Sequence, residues 1–424
     1  MKNFLDKIFF RSNNLDYIRE DIQKLSKKSS AYKIFDAINS YSSKSEIRYV
    51  GGCVRKIINK ETVDDIDLAT NIEPKEICIV LKKKDINYFE TGIDHGTVTA
   101  VIGENKFEIT SLREDVLTDG RHARVKFSEN WKHDASRRDF TINSIYADSE
   151  GNLFDPYNGK RDLEKGLINF IGDVDERVKE DYLRILRYIR FFLHYSKTSH
   201  NLEIIRKIKI NLAGISKLSK ERLLDELKKI FKFEILEKLT KDKLSLELIL
   251  MIFPELKYIK VFSKLNSHQK NLLKKLDFIS LLSLMIIDET DNVDYFLYKF
   301  NISKKNQKRI KIIDAFFKEK INSKTFTETS LNKFFYYNGK EAIIDVLNFR
   351  ILRSKKFDEK LIDLIQIFEN KTIPIMPIKA ETIMNKYQIS EGRHLGSKLK
   401  LIEKEWVNNN FRISDQQVDY IVKN

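Results

Sequence analysis

The chain has 424 residues, 42% of them apolar, enough to bury a sizeable core and to form two to four domains. Its formal charge of +15 favours a polyanionic partner, although a lysine-rich composition also gives a generic basic surface. Two cysteines, Cys53 and Cys78, are too few for a disulfide framework and lack the spacing of a zinc site, so a reducing cytoplasm is the simplest setting.

Residues 1–31 read as a polar N-terminal extension, a loosely attached helix. Its first twenty residues mix Lys2, Asp6, Lys7, Arg11, Asp16 and Arg19 into short apolar stretches, unlike the continuous apolar segment of a signal peptide. From Tyr32 to Lys165 lie more than half of the 14 glycines, punctuating β-like runs at Ile47 to Val50, Gly96 to Ile102 and Lys106 to Ser111. This pattern predicts a mixed α/β domain.

Within it, Gly51-Gly52-Cys53-Val54-Arg55 follows the first strand and precedes a helical stretch. Two glycines there let backbone N–H groups approach an anion, and Arg55 adds a cation; a plain tight turn is the competing account. Asp65-Ile66-Asp67 comes next, and in a strand these two carboxylates share a face and can share hard cations. Phosphoryl transfer uses that arrangement, yet an acidic pair beside Asp64 also suits a solvated turn. Glu108, in the alternating run Phe107 to Thr110, either completes a carboxylate cluster with them or lies on the polar face of a half-buried strand.

A glycine-containing loop, Thr118 to His122, leads to Arg137-Arg138. These adjacent arginines can give forked donors to phosphate oxygens, or form salt bridges with Asp134 or Asp139.

Beyond Val178, Leu, Ile, Phe and Lys recur at helical spacing, so the remainder is expected to be all helical. Along Glu180 to Phe191 the apolar positions 183, 186, 189 and 193 predict a helix on which Asp181 and Arg184 are neighbours. Such a pair can accept from the exocyclic amine of cytosine or adenine and donate to the unprotonated ring nitrogen, leaving uracil and guanine unpaired. A surface salt bridge is the alternative. Arg187 continues the stripe, while drift in steps of three should turn Arg190 well away from Asp181. Phe278 to Ile287, ten apolar residues between Asp277 and Asp288, reads as a buried helix rather than a membrane span. Pro254 predicts a break, and Thr372 to Ile378, with Pro374 and Pro377, a linker.

Together these segments resemble the class II tRNA nucleotidyltransferase and poly(A) polymerase family. The matching series runs GGCVRK (51–56), DIDLAT (65–70), TGIDHGTVTAV (91–101), FEITSLRED (107–115), TDGRHARV (118–125), DASRRDFTINSIY (134–146), DPYNGKRDL (155–163) and EDYLRILRYIRF (180–191). GRHLGSKLKLIEKEW at 392–406 also resembles the tail of many bacterial members. The resemblance implies an α+β chain: a nucleotidyltransferase head with a small mixed β-sheet and helices at 32–165, then an all-α neck at 166–235, body at 236–371 and tail at 372–424. It implies CCA addition to the 3′ end of tRNA from CTP and ATP with two Mg²⁺ ions, the tRNA acceptor arm being held by the helical part, in a monomer or homodimer.

Carried over by motif, Gly51, Gly52, Arg55, Arg137 and Arg138 would contact the nucleotide. Asp65 and Asp67 would bind magnesium with Glu108 beside them, Asp181 and Arg184 would template CTP and ATP, and Arg187 and Arg190 would make further nucleotide contacts. One departure is Lys56, where the family usually has aspartate. Thr91 to Thr97 resembles the CCA-adding branch rather than the poly(A) polymerases, while an enzyme adding only the terminal A would keep the same motifs. A decayed RNA-binding relative would have no reason to retain Asp65, Asp67, Asp181 and Arg184 together, and a small-molecule nucleotidyltransferase would not need the last two.

Overall fold

The computed structural model describes residues 17–118, 123–319, 325–356 and 358–424, the side chains of 115–118 and 123–125 excepted. Residues 1–16 of the extension and Asp119 to His122 of the expected loop lie outside them. The chain forms two compact units, 1–230 and 231–424.

The first unit begins with helix α1 (residues 17–29), followed by α2 (Tyr32–Asn39), β1 (Ile47–Val50), α3 (Gly52–Ile58), β2 (Ile66–Thr70), α4 (Pro74–Lys83) and β3 (Asn87–Gly92). Next come β4 (Thr97–Ile102), β5 (Asn105–Ser111), β6 (Arg113–Thr118), β7 (Ala123–Phe127), α5 (Trp131–Ser136), β8 (Tyr146–Ala147), β9 (Leu153–Phe154) and α6 (Gly159–Lys165). Helices α7 (Val174–Glu180), α8 (Leu183–Tyr195), α9 (Leu202–Asn211) and α10 (Lys220–Ile230) complete the unit. The described part of the extension is docked rather than loose: Ile18 and Ile22 are fully buried on one face of α1, and the Tyr17 hydroxyl donates to the Ile58 carbonyl at 2.8 Å.

Seven strands form one sheet in the order β3-β4-β5-β2-β1-β8-β9. Only β2 and β5 run parallel, and their register sets Asp67 directly beside Glu108. The strands alternate, so inward residues such as Leu68, Val98, Phe107 and Ile109 are fully buried while Glu108 faces outward. Val50, Ala69, Leu112, Ala135 and Tyr146 form a core cluster with Trp131, Phe154 and Tyr157 packed on it.

The second unit is helical throughout its regular elements. The apolar run expected to be buried is the helix Phe278–Ile286, with Ile279 to Ile286 all inside. The helix Lys243–Ile252 stops just ahead of Pro254, and residues 371–377 carry no regular element around Pro374 and Pro377. Leu331, Phe335, Ile343, Leu347 and Phe368 centre one core of this unit, and Ile383, Leu395, Ile402, Val418 and Val422 another. Among the described residues, no helix is long and apolar enough to cross a membrane.

Candidate active site

A cleft of about 520 Å³ in the first unit collects residues far apart in sequence. Gly51, Gly52, Arg55, Asp65, Asp67, Arg138, Asp181, Arg184, Arg187 and Arg190 line it, with Asp139, Asn143, Phe191 and Lys229. The glycine turn needs its first glycine, since Gly51 holds φ +63° and ψ −113° as β1 turns into α3. A side chain at Gly51 would meet Arg138 Nη1 at 3.4 Å, and one at Gly52 would meet Asp67 Oδ2 at 3.6 Å. The turn therefore sets its backbone between a guanidinium and a carboxylate.

Asp67 lies in β2; Asp65 stands one residue ahead of that strand, so the two are not one strand's alternate residues as the spacing suggests. Burial pushes the Asp67 carboxyl upward, and Glu108 and Asp65 push the same way. Glu108 acts on Asp67 from the adjacent strand but is not among the residues lining the cleft. Among the described residues, no group of three or more His, Cys, Asp or Glu gathers closely enough to hold a metal unaided. Two carboxylates suit Mg²⁺ nonetheless, because that ion takes one or two protein carboxylates and completes its shell with water and substrate phosphates.

Arg138 is fixed from three sides. Its Nη2 reaches Asp134 at 3.1 Å, its Nε donates to the Tyr146 hydroxyl at 3.0 Å, and its Nη1 lies 3.5 Å from the Asn143 carbonyl oxygen. Arg137 bonds the other Asp134 oxygen at 2.7 Å and is outside the cleft lining, which realises its salt-bridge alternative. Burial raises the Asp134 carboxyl, but Arg138 and Arg137 outweigh burial and hold it well below the usual carboxylate range.

Asp181 and Arg184 both reach the cleft, but not as neighbours on one helix. Asp181 is extended, φ −151° and ψ 103°, at the end of α7, so helical spacing does not apply between it and α8. Its Oδ1 accepts from the Leu183 N–H at 3.1 Å and its Oδ2 from Arg222 of α10 at 2.7 Å. Arg184 gives Nη1 to Glu180 at 2.6 Å and to the Arg177 carbonyl at 2.7 Å, and Nη2 to the Arg137 carbonyl at 3.4 Å. Arg190 also lines the cleft, where it pairs with Glu226 of α10, 1% exposed, and lies over the Phe191 ring.

The basic side chains of α8 thus each meet a carboxylate from a different stretch: Arg184 with Glu180, Arg187 with Asp139 at 2.6 Å, Arg190 with Glu226, and His194 with Glu61 at 3.3 Å. Asp139 is buried, which raises its carboxyl, but Arg187 outweighs burial and sets it at about 2. Asn143 donates to Asp139 at 2.8 Å and accepts from Arg55, so one amide joins the glycine helix to α8. Lys56 turns to Asp64 at 2.9 Å, and Arg55 takes its orientation from Asn143 and the rings of Phe191 and Tyr195. Asp139 and Asn143, four residues apart beside the paired arginines, could have been singled out from sequence; Lys229 and Arg222 carry no local signal.

The Poly A polymerase head domain family matches residues 47–169, the span of the sheet and the paired arginines. Fold and match together define the class: a nucleotidyltransferase with a poly(A) polymerase head followed by helices. The mouse mitochondrial CCA tRNA nucleotidyltransferase 1 is 30% identical over 394 residues, 89% of this chain and 87% of that protein. The CCA-adding enzyme of Oceanobacillus iheyensis is 36% identical over 202 residues, 47% of this chain and 49% of that one. The chain belongs to the CCA tRNA nucleotidyltransferase family. Its fold resembles that of the Bacillus stearothermophilus CCA-adding enzyme in complex with CTP, with a TM-score of 0.70 at 19% identity over 93% of this chain and 96% of that one. The Thermotoga maritima CCA-adding enzyme complexed with tRNA gives 0.57 at 18% identity over 92% and 93%.

Proposed function

We propose that this chain adds CCA to the 3′ end of tRNA, drawing on CTP and ATP and releasing pyrophosphate. The observation that carries this reading is the convergence of a glycine turn, two carboxylates and an Asp/Arg pair in one cleft. Arg55 and Arg138 hold the triphosphate at the turn, with Arg187 and Arg190 presenting further guanidinium edges from α8. Asp181 accepts from the amine of cytosine or adenine, since each carboxylate oxygen takes a second hydrogen bond beside its present partner. Arg184 donates to the ring nitrogen through Nη2, whose bond at 3.4 Å is the weakest it makes. Uracil and guanine leave both groups unpaired and are rejected. Two Mg²⁺ ions at Asp65 and Asp67 would activate the 3′-hydroxyl and hold the triphosphate and leaving pyrophosphate.

The sequence division supplies the rest of the proposal: head 32–165, neck 166–235, and a basic helical body and tail at 236–371 and 372–424 that hold the tRNA acceptor arm, in a monomer or homodimer. A cytoplasmic setting suits two cysteines that are both unpaired, whereas the mouse relative is mitochondrial by name.

The test is to incubate the protein with magnesium and tRNA lacking its last three nucleotides, supplying CTP, ATP or both, and to resolve products nucleotide by nucleotide. Two C residues with CTP and one further A with both are expected. A long A ladder would make it a poly(A) polymerase, and a single A only on tRNA ending in CC would make it an A-adding enzyme.

A further inference from the structure

Arg55 is a buried cation, 8% exposed, whose contacts are an amide oxygen and two ring faces. Its guanidinium carbon lies 4.7 Å from the Phe191 centroid and 5.2 Å from that of Tyr195, and its Nε finds no partner among the described residues. The neighbouring Lys56 turns outward to Asp64. Negative charge stands one layer behind. Glu61, past the end of α3, accepts from the Tyr195 hydroxyl at 3.3 Å, from His194 Nε2 at 3.3 Å and from Asn59. Burial raises its carboxyl, but the bonds from His194 and Asn59, with the charges of His194 and Arg55, outweigh burial and lower it.

A carboxylate touching Arg55 directly would occupy the fork of donors that a phosphate needs. One held at the Tyr195 hydroxyl still attracts the cation, because charges in a partly buried region are weakly screened, and it leaves the fork open to the cleft. The geometry points to Glu61 as a positioning residue for the nucleotide: it seats Tyr195 against Arg55 and supplies the counter-charge that keeps Arg55 ordered while the cleft is empty. This rests on the reading that Arg55 meets the triphosphate.

The experiment measures KM and kcat for CTP and ATP in full-length Glu61→Gln, Glu61→Asp, Tyr195→Phe, Arg55→Ala and Arg55→Lys variants, and in the Arg55→Ala/Glu61→Gln double variant. Glu61→Gln should raise both nucleotide KM values about threefold to tenfold while kcat stays within about twofold. The tRNA KM, rejection of UTP and the thermal midpoint should not move. Glu61→Asp should recover part of the loss, Tyr195→Phe should show a smaller rise of the same kind, and Glu61→Gln should add nothing once Arg55 is Ala. An unchanged KM in Glu61→Gln beside a raised KM in the Arg55 variants overturns the role of Glu61 alone. Unchanged KM in both Arg55 variants overturns the triphosphate reading beneath it. A lowered thermal midpoint with kcat and every KM worsening together reduces Glu61 to scaffold and overturns the inference.

Discussion

Asp134→Asn should loosen Arg138 and cost the head a measurable share of its stability. The carboxylate is 1% exposed and accepts from Arg137 at 2.7 Å, from Arg138 at 3.1 Å and from the Tyr146 hydroxyl at 2.7 Å. An amide of the same shape keeps one acceptor and turns the other into an NH₂ group facing guanidinium donors. Removing one side of a buried ion pair costs about 3–5 kcal/mol. Here Arg137 and Arg138 retain 16% and 19% exposure, so water recovers part of that cost and about 2–4 kcal/mol is expected. In a unit of this size that is a fall of about 5–15 °C in midpoint, read by thermal unfolding. Arg138 would also lose its main anchor, so the KM for CTP should rise about tenfold. Because the Asp134 carboxyl is depressed in the folded state, its stabilisation is fully present above its ordinary value of 3.8 and is lost only as pH falls below that. The gap between wild type and variant should therefore be constant from about pH 5 to 8 and shrink in acid. A loss under about 1 kcal/mol with an unchanged KM would refute the argument that this pair holds Arg138.

Asp65→Ala or Asp67→Ala should lower transfer by at least about a thousandfold in single-turnover assays while filter binding of tRNA stays nearly intact; parallel loss of binding would contradict a purely catalytic role. Arg184→Ala should relax nucleotide choice, and unchanged discrimination against UTP would sink its part in base reading. Gly214→Ala would place a methyl carbon 1.9 Å from the ring of Tyr182, which must shift and carry Asp181 with it. A loss of about 1–3 kcal/mol is expected, together with weakened rejection of UTP; neither change would mean that the ring moves away freely.

What the sequence disclosed was whatever is local. The strand Ile47–Val50 falls where alternation places it, and the paired glycines mark a turn whose backbone holds φ +63°. The cleft residues named from motifs come together because their motifs sit at the ends of strands and helices or along α8. What escaped was set by packing between elements. Asp181 and Arg222 are 41 residues apart, and Arg190 and Glu226 are 36 apart. Their meeting depends on how α10 lies against α8, which no periodicity encodes. The helix drawn through Asp181 failed for a related reason: apolar spacing tracks the buried face and is blind to the chain leaving helical geometry at Asp181, between α7 and α8.

The four carboxylates that meet α8 come from α7, from the segment after the paired arginines, from α10 and from the end of the glycine helix. A helix packed only by its apolar stripe can slide or roll by a residue and find nearly equivalent contacts. This one is held in register, because advancing it by one residue would rotate every basic side chain about 100° away from its acid. The arrangement works like the wards of a lock: the acids that meet Arg184, Arg187 and Arg190 set where α8 sits, and the height of all three guanidiniums over the cleft floor follows.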